Sequence, residues 1–203
     1  MSNSVPQRRD ALTSGGDPVG RIAFPSAVLC FASPFRGGKT TISSEVAVRL
    51  GAPWVSFGDY LRREARERGL EVTREALQAL GGLLLALDAR KFCEDVLGQQ
   101  PPEPGRPLIV DGVRHLEVLD HIRGLFDPAP VSLVYIDIDR ATQRARLDKD
   151  EFARGKSVED IESHPTERQV RSALPGKADL ILDGTRAPGE LVDEVIDFLA
   201  KRT

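Results

Sequence analysis

The segment that most constrains this chain is a short apolar run, Ala27-Val28-Leu29-Cys30-Phe31, that leads through Ala32 into Ser33-Pro34-Phe35-Arg36-Gly37-Gly38-Lys39-Thr40. Five apolar residues bounded by turn formers fit a strand buried on both faces of a parallel sheet. Beyond the loop, Ile42, Val46 and Leu50 form a helical stripe. The spacing matches G-x-x-x-x-G-K-[ST], except that Ser33 stands where the first glycine belongs. In that pattern successive backbone N–H groups wrap a phosphate, and the positive end of the following helix faces it. Lys39 would reach the β- and γ-phosphates, and the Thr40 hydroxyl would ligate Mg²⁺. Residues 33–41 are therefore expected to hold ATP through Ser33, Arg36, Gly37, Gly38, Lys39, Thr40 and Thr41. The competing reading is a glycine-containing turn with a solvated lysine, and for Arg36 phosphate contact and solvation stand level.

The remaining pattern alternates strands with helices. Further strands are expected at 54–57, 108–110, 131–138 and 179–182. Helices are expected at 60–68, at 73–97 with a kink or break at Gly81-Gly82, around Leu119, Ile122 and Phe126, at 140–147 behind an Asp139 cap, and on the face of Leu191, Val195, Ile196 and Leu199. This order implies an α/β fold, a five-stranded parallel sheet with helices on both faces. Residues 1–24 read as a flexible tail before a domain over 25–203, and the polar stretch 148–176 reads as a small mobile lid. Ligands of such sheets bind beyond the carboxyl ends of the strands. Asp59, Asp111 and the segment 139–146 all fall there.

Asp59 and Arg62 lie three apart at a helix start and share a face. An arginine at that edge suits a phosphate on an acceptor, because its planar fork grips two oxygens. The bland alternatives are a capping Asp59 and a solvated Arg62. Asp111-Gly112-Val113-Arg114 repeats the theme, with an acid near the Mg²⁺–phosphate position and an arginine three residues on; its alternative is a structural Asp-Gly turn.

With these segments in hand, residues 26–202 resemble the nucleoside monophosphate kinase group of P-loop proteins. Phe57-Gly-Asp-Tyr-Leu-Arg62 is similar to the G-D-x-L-R segment of adenylate kinases, whose arginine holds the acceptor phosphate. Ile109-Val-Asp-Gly-Val-Arg114 resembles their L-D-G-F-P-R segment, one residue shorter. Thr73-Arg-Glu-Ala-Leu-Gln-Ala-Leu-Gly81 and His164-Pro-Thr-Glu167 look more like phage-type deoxynucleoside monophosphate kinases and related kinases. The resemblance implies a P-loop NTPase three-layer fold, ATP and Mg²⁺ as cofactors, and Arg74 and Gln78 close to the acceptor nucleotide. It also makes 178–186 similar to a passage whose backbone contacts adenine.

Arg140, Arg144, Arg146, Lys149, Arg154 and Lys156 place six cations in 17 residues. A lid that brings such arginines onto the transferring phosphoryl group would stabilise its charge and exclude water. Arg140 is assigned to ATP and Arg144 to catalysis with Lys39 and Asp111; the alternative is a solvated helix paired with Asp139 and Asp148. The run Asp148-Lys-Asp-Glu151 departs from the paired-arginine lid of adenylate kinases. His164 reads either as a general base or as a residue that caps or packs at the helix start Thr166-Glu167, and His115 and His121 read as surface residues.

The leading expectation is transfer from ATP to a phosphorylated small molecule, a (deoxy)nucleoside monophosphate before others. Rival readings are a different acceptor, such as dephospho-coenzyme A, and a decayed nucleotide-binding switch. A net charge of −3 gives no basic excess for a nucleic acid polymer. Two cysteines, Cys30 and Cys93, make no metal or disulfide pattern, which suggests a reducing, cytoplasmic setting. No apolar run is long enough to span a membrane. A monomer or a homodimer both remain open.

Overall fold

The computed structural model describes residues 24–149 and 157–202. Nearly all of the expected tail, Asp150 and Glu151 of the acidic run, and Arg154 and Lys156 lie outside them. Five strands, β1 (Val28–Ala32), β2 (Trp54–Ser56), β3 (Leu108–Asp111), β4 (Val131–Asp137) and β5 (Leu180–Asp183), form one sheet in the order β2-β3-β1-β4-β5. Every pairing is parallel. All residues of β1 and β3 are buried, as their unbroken apolar runs require in a sheet covered on both faces.

One face is covered by α1 (Lys39–Leu50) and α8 (Pro188–Ala200), whose Ile42, Val46, Leu191 and Val195 pack on Leu29, Phe31 and Val134. The larger core lies on the other face. There α2 (Phe57–Glu67), α3 (Arg74–Leu97), α4 (Leu116–Phe126) and α7 (Pro165–Ser172) bury Tyr60, Phe92, Leu119, Ile122, Phe126 and Val170 against β1, β3 and β4. Helices α5 (Arg140–Leu147) and α6 (Val158–Glu162) close a small third cluster of Leu147, Val158 and Ile161, on which Phe35 packs. A 3₁₀ turn at Pro175–Lys177 leads into β5.

Three local expectations are corrected. Helix α2 starts at Phe57, because Ser56 Oγ accepts the Asp59 N–H at 3.2 Å; the cap is Ser56 and not Asp59. Helix α3 passes Gly81-Gly82 unbroken and kinks at Asp88, whose backbone leaves the helical region (φ −163°, ψ 93°). There Asp88 Oδ1 accepts the Lys91 N–H at 2.8 Å, an N-cap inside the helix that restarts it. The short helices of the expected lid include α7, whose Val170 and following Leu174 are fully buried in the larger core. Asp139 caps α5 as expected, accepting the Thr142 N–H at 2.7 Å, and His164 Nδ1 accepts the Thr166 N–H at 3.3 Å to cap α7.

Candidate active site

The loop between β1 and α1 is shaped by two glycines and one strained residue. Gly38 stands before α1 at φ +91°, a conformation that favours glycine, and no side chain caps the helix there. A Cβ at Gly37 would lie 2.6 Å from the Cβ of buried Ser33. The close approach that the first glycine of the motif would allow is thus provided from the opposite side, which explains how Ser33 fits. Its hydroxyl donates to the Pro34 carbonyl at 3.0 Å. Arg36, exposed at φ +62°, carries the left-handed backbone that costs a non-glycine residue about 1–2 kcal/mol.

At the start of α1 the Thr40 hydroxyl donates to Asp111 Oδ2 at 2.9 Å, across β1 to the end of β3. Asp111 Oδ1 is buried without a hydrogen-bond partner among the described residues. An orphaned carboxylate oxygen beside a hydroxyl, at the mouth of a phosphate loop, fits a hard cation that also takes phosphate oxygens and water. No cluster of three or more His, Cys, Asp or Glu side chains suited to a metal occurs among the described residues. The hydroxyl and carboxylate suit Mg²⁺ carried in with a nucleotide, and Thr40 and Asp111 are the residues that could hold it. Lys39 projects to the same strand end, where its Cε would lie 3.9 Å from a Cβ at Gly112. Burial lowers its ammonium pKa, Arg114 pushes the same way, and Asp111 and Glu167 oppose.

A single cavity of about 840 Å³ runs from this loop past the ends of β2 and β3. Arg36, Gly37, Gly38, Lys39, Thr40, Thr41, Arg62, Arg74, Gln78, Asp111 and Arg114 all line it, so most of the expected site residues meet in one place. Eight cationic side chains line it against two carboxylates, Asp111 and Glu167. In a chain with a net charge of −3, that local excess singles out a polyanionic ligand.

The remaining expected residues are placed otherwise. Asp59 does not line the cavity; it is exposed and accepts from Arg62. Arg140 and Arg144 are exposed and outside the lining, and they pair with Glu162 and Glu159 of α6, not with Asp139 and Asp148. The opposite face of the same helix, two residues beyond Arg144, supplies the cavity instead. Arg146 donates to the carbonyls of Arg36 and Gly37 at 3.3 and 3.2 Å, and to that of Gly184 at 2.7 Å. It bridges the phosphate loop to the passage after β5, whose Gly184, Arg186 and Pro188 also line the cavity.

Sequence reasoning missed two further residues. Glu167 is buried and takes both Arg74 Nη2, at 3.1 Å, and Arg114 Nη1 on one oxygen, Oε1. Burial would raise its carboxyl, yet Arg114 and Arg74 hold it below the ordinary 4.5. His115, expected at the surface, is half-buried in the lining, with its pKa lowered by burial and by Arg114. The only sequence signal for Glu167 was the His164-Pro-Thr-Glu167 resemblance.

Comparison with known proteins fits this geometry. A family model described as an AAA domain matches residues 37–164, beginning within the phosphate loop. The UPF0200 protein TK1334 of Thermococcus kodakarensis is 31% identical over 186 residues, spanning 80% of this chain and 94% of its own. The chain is an AAA-domain protein of the UPF0200 family. Among solved structures, a gluconokinase from Sinorhizobium meliloti superposes with a TM-score of 0.56 at 15% identity, covering 88% of this chain and 94% of its own. A shikimate kinase from Aquifex aeolicus gives 0.55 at 17% identity, with coverage of 86% and 97%. At these identities the likeness establishes a shared fold. No helix among the described residues is long and apolar enough to cross a membrane.

Proposed function

We propose that this protein transfers the γ-phosphoryl group of ATP to the phosphate of a nucleoside or deoxynucleoside monophosphate. The observation that carries the reading is one cavity in which the phosphate loop, with Lys39 and the Thr40–Asp111 pair, faces Arg62, Arg74 and Arg114. Phosphoryl transfer asks for charge neutralisation and alignment more than for a covalent intermediate. The loop amides, Lys39 and the open end of α1 bind the donor phosphates. Mg²⁺, when bound at Thr40 and Asp111, supplies neutralisation of the charge shared by the β- and γ-phosphates. Arg146, tied to the loop carbonyls, closes the donor side, and the three arginines orient the acceptor's anionic group in line with the γ-phosphate. Gln78 and the apolar wall of Phe57, Leu61, Leu77 and Phe92 border the space for the acceptor's body.

The test is ADP release from Mg²⁺·ATP in the presence of each common ribo- and deoxyribonucleoside monophosphate, with Lys39→Ala alongside. Acceptor-dependent release that Lys39→Ala abolishes supports the reading and names the substrate. Transfer only to dephospho-coenzyme A or another alcohol replaces the acceptor, and ATP binding with no transfer at all points to a nucleotide-dependent switch.

A further inference from the structure

Glu167 sits in the first turn of α7, and its side chain is only 3% exposed. The two arginines it holds come from elsewhere: Arg74 opens α3, and Arg114 follows β3. They are 12% and 26% exposed and both line the cavity. Two guanidinium groups sharing one carboxylate oxygen are close enough to repel each other strongly where water is scarce. The carboxylate between them offsets that repulsion and fixes their separation. Breaking such a buried group by removing one partner leaves uncompensated charge, so the arrangement resists drift. Arg74 is further fixed by lying 4.0 Å over the Phe35 ring of the phosphate loop.

The backbone that delivers Glu167 is equally determined. His164 caps α7, Pro165 begins it, and Val170 and Leu174 anchor it in the larger core. The contrast with Arg62 is plain: its partner Asp59 is half exposed on the same helix, and that pair can rearrange in solvent without disturbing the sheet edge.

We propose that Glu167 is the positioning residue of the acceptor site: its carboxylate, brought in by α7, sets Arg74 and Arg114 side by side toward an anionic group of the phosphate class on the acceptor. This rests on the acceptor reading above. Glu167 does not touch the reacting atoms. It acts through the two arginines, so its loss weakens acceptor binding and alignment and leaves the donor side intact.

The experiment compares full-length wild type with Glu167→Gln and Glu167→Asp in steady-state transfer to the monophosphate that wild type uses best. The expected result for Glu167→Gln is an acceptor KM raised about tenfold or more, with the ATP KM within about threefold of wild type. Glu167→Asp, which keeps the charge, falls between, and carries every comparison if Glu167→Gln does not fold. In an Arg74→Met, Arg114→Met background the Glu167 change loses most of its effect, because positioning acts through those two arginines. An equal rise in both KM values, or strictly additive effects, overturns the proposal and leaves Glu167 a fold-stabilising residue. Should wild type phosphorylate no monophosphate, the same proteins, saturated with Mg²⁺ and a non-hydrolysable ATP analogue, are titrated with inorganic phosphate and their Tm recorded. A rise in wild type that Glu167→Gln abolishes supports the clamp although the acceptor reading has failed; no rise in wild type overturns the clamp as well.

Discussion

The phosphate-loop side of the cavity rests on β1 and β3, whose residues are all buried, whereas the side closed by α5 and α6 rests largely on charged groups. Behind the phosphate loop stand two cores packed on either face of the sheet. Behind α5 and α6 stand three buried apolar residues and Phe35. The rest of that side is a chain of polar contacts: Gln143 donates to the Phe35 carbonyl at 2.9 Å and accepts from Arg171, and Arg171 and Arg140 face Glu162. Apolar burial is insensitive to small rotations, while ion pairs form or dissolve with modest shifts in geometry. The first construction holds its side chains in place through packing, the second through pairs that are exchangeable with water.

The comparison breaks first at Lys39. Lys39→Ala is expected to lower kcat by about 10³-fold or more, with little change in Tm, because the loop is held by backbone and core rather than by that ammonium; steady-state ADP release and thermal denaturation decide it. Asp111→Asn should follow at about 10²-fold, with a raised Mg²⁺ requirement that a magnesium titration would expose.

Stability sharpens the contrast next. Leu133→Ala, in the larger core, is expected to cost about 3 kcal/mol across the whole molecule, whereas Ile161→Ala in the small cluster should cost about 2 kcal/mol or less. Urea unfolding gives both values. Hydrogen exchange should show the second loss confined to α5 and α6; a global loss there would merge the two regions into one cooperative unit.

Between neighbouring arginines of α5, the structure separates what the sequence could not. Arg146→Ala should reduce kcat/KM by about 10- to 100-fold, and Arg144→Ala by no more than about threefold, since Arg144 meets only solvent and Glu159 among the contacts described. The reverse order would return catalysis to Arg144.

The smallest effect is a pH dependence. Glu167 has its pKa lowered on folding, so its stabilisation is fully present above its ordinary value of 4.5 and is lost as pH falls through the lower folded value. A plot of unfolding free energy against pH should therefore slope downward below about 4.5 more steeply in wild type than in Glu167→Gln. Parallel curves would remove Glu167 from that role.

What was legible follows from how local each feature is. The phosphate loop could be read because its geometry is encoded within eight consecutive residues, and the strands because burial on both faces leaves unbroken apolar runs. The Asp111 and Arg114 positions were legible as a strand end carrying charge. The kink at Asp88 was missed because a glycine pair is a louder signal than an aspartate that caps from within a helix.

The sequence by itself determined the parallel α/β fold, the phosphate loop and the placing of Lys39, Thr40, Arg62, Asp111 and Arg114 at one edge of the sheet, while Arg74 entered only through the family resemblance. Only the tertiary structure decided how those cations are paired and which arginine of α5 joins them. Glu167 reaches Arg74 and Arg114 across 93 and 53 positions of chain, and Arg146 reaches Gly37 across 109. Contacts at such separations leave no periodicity or spacing in the sequence. A charged side chain on a helix reads the same whether it faces solvent or a partner brought near by folding, and that choice is made only when the helices pack.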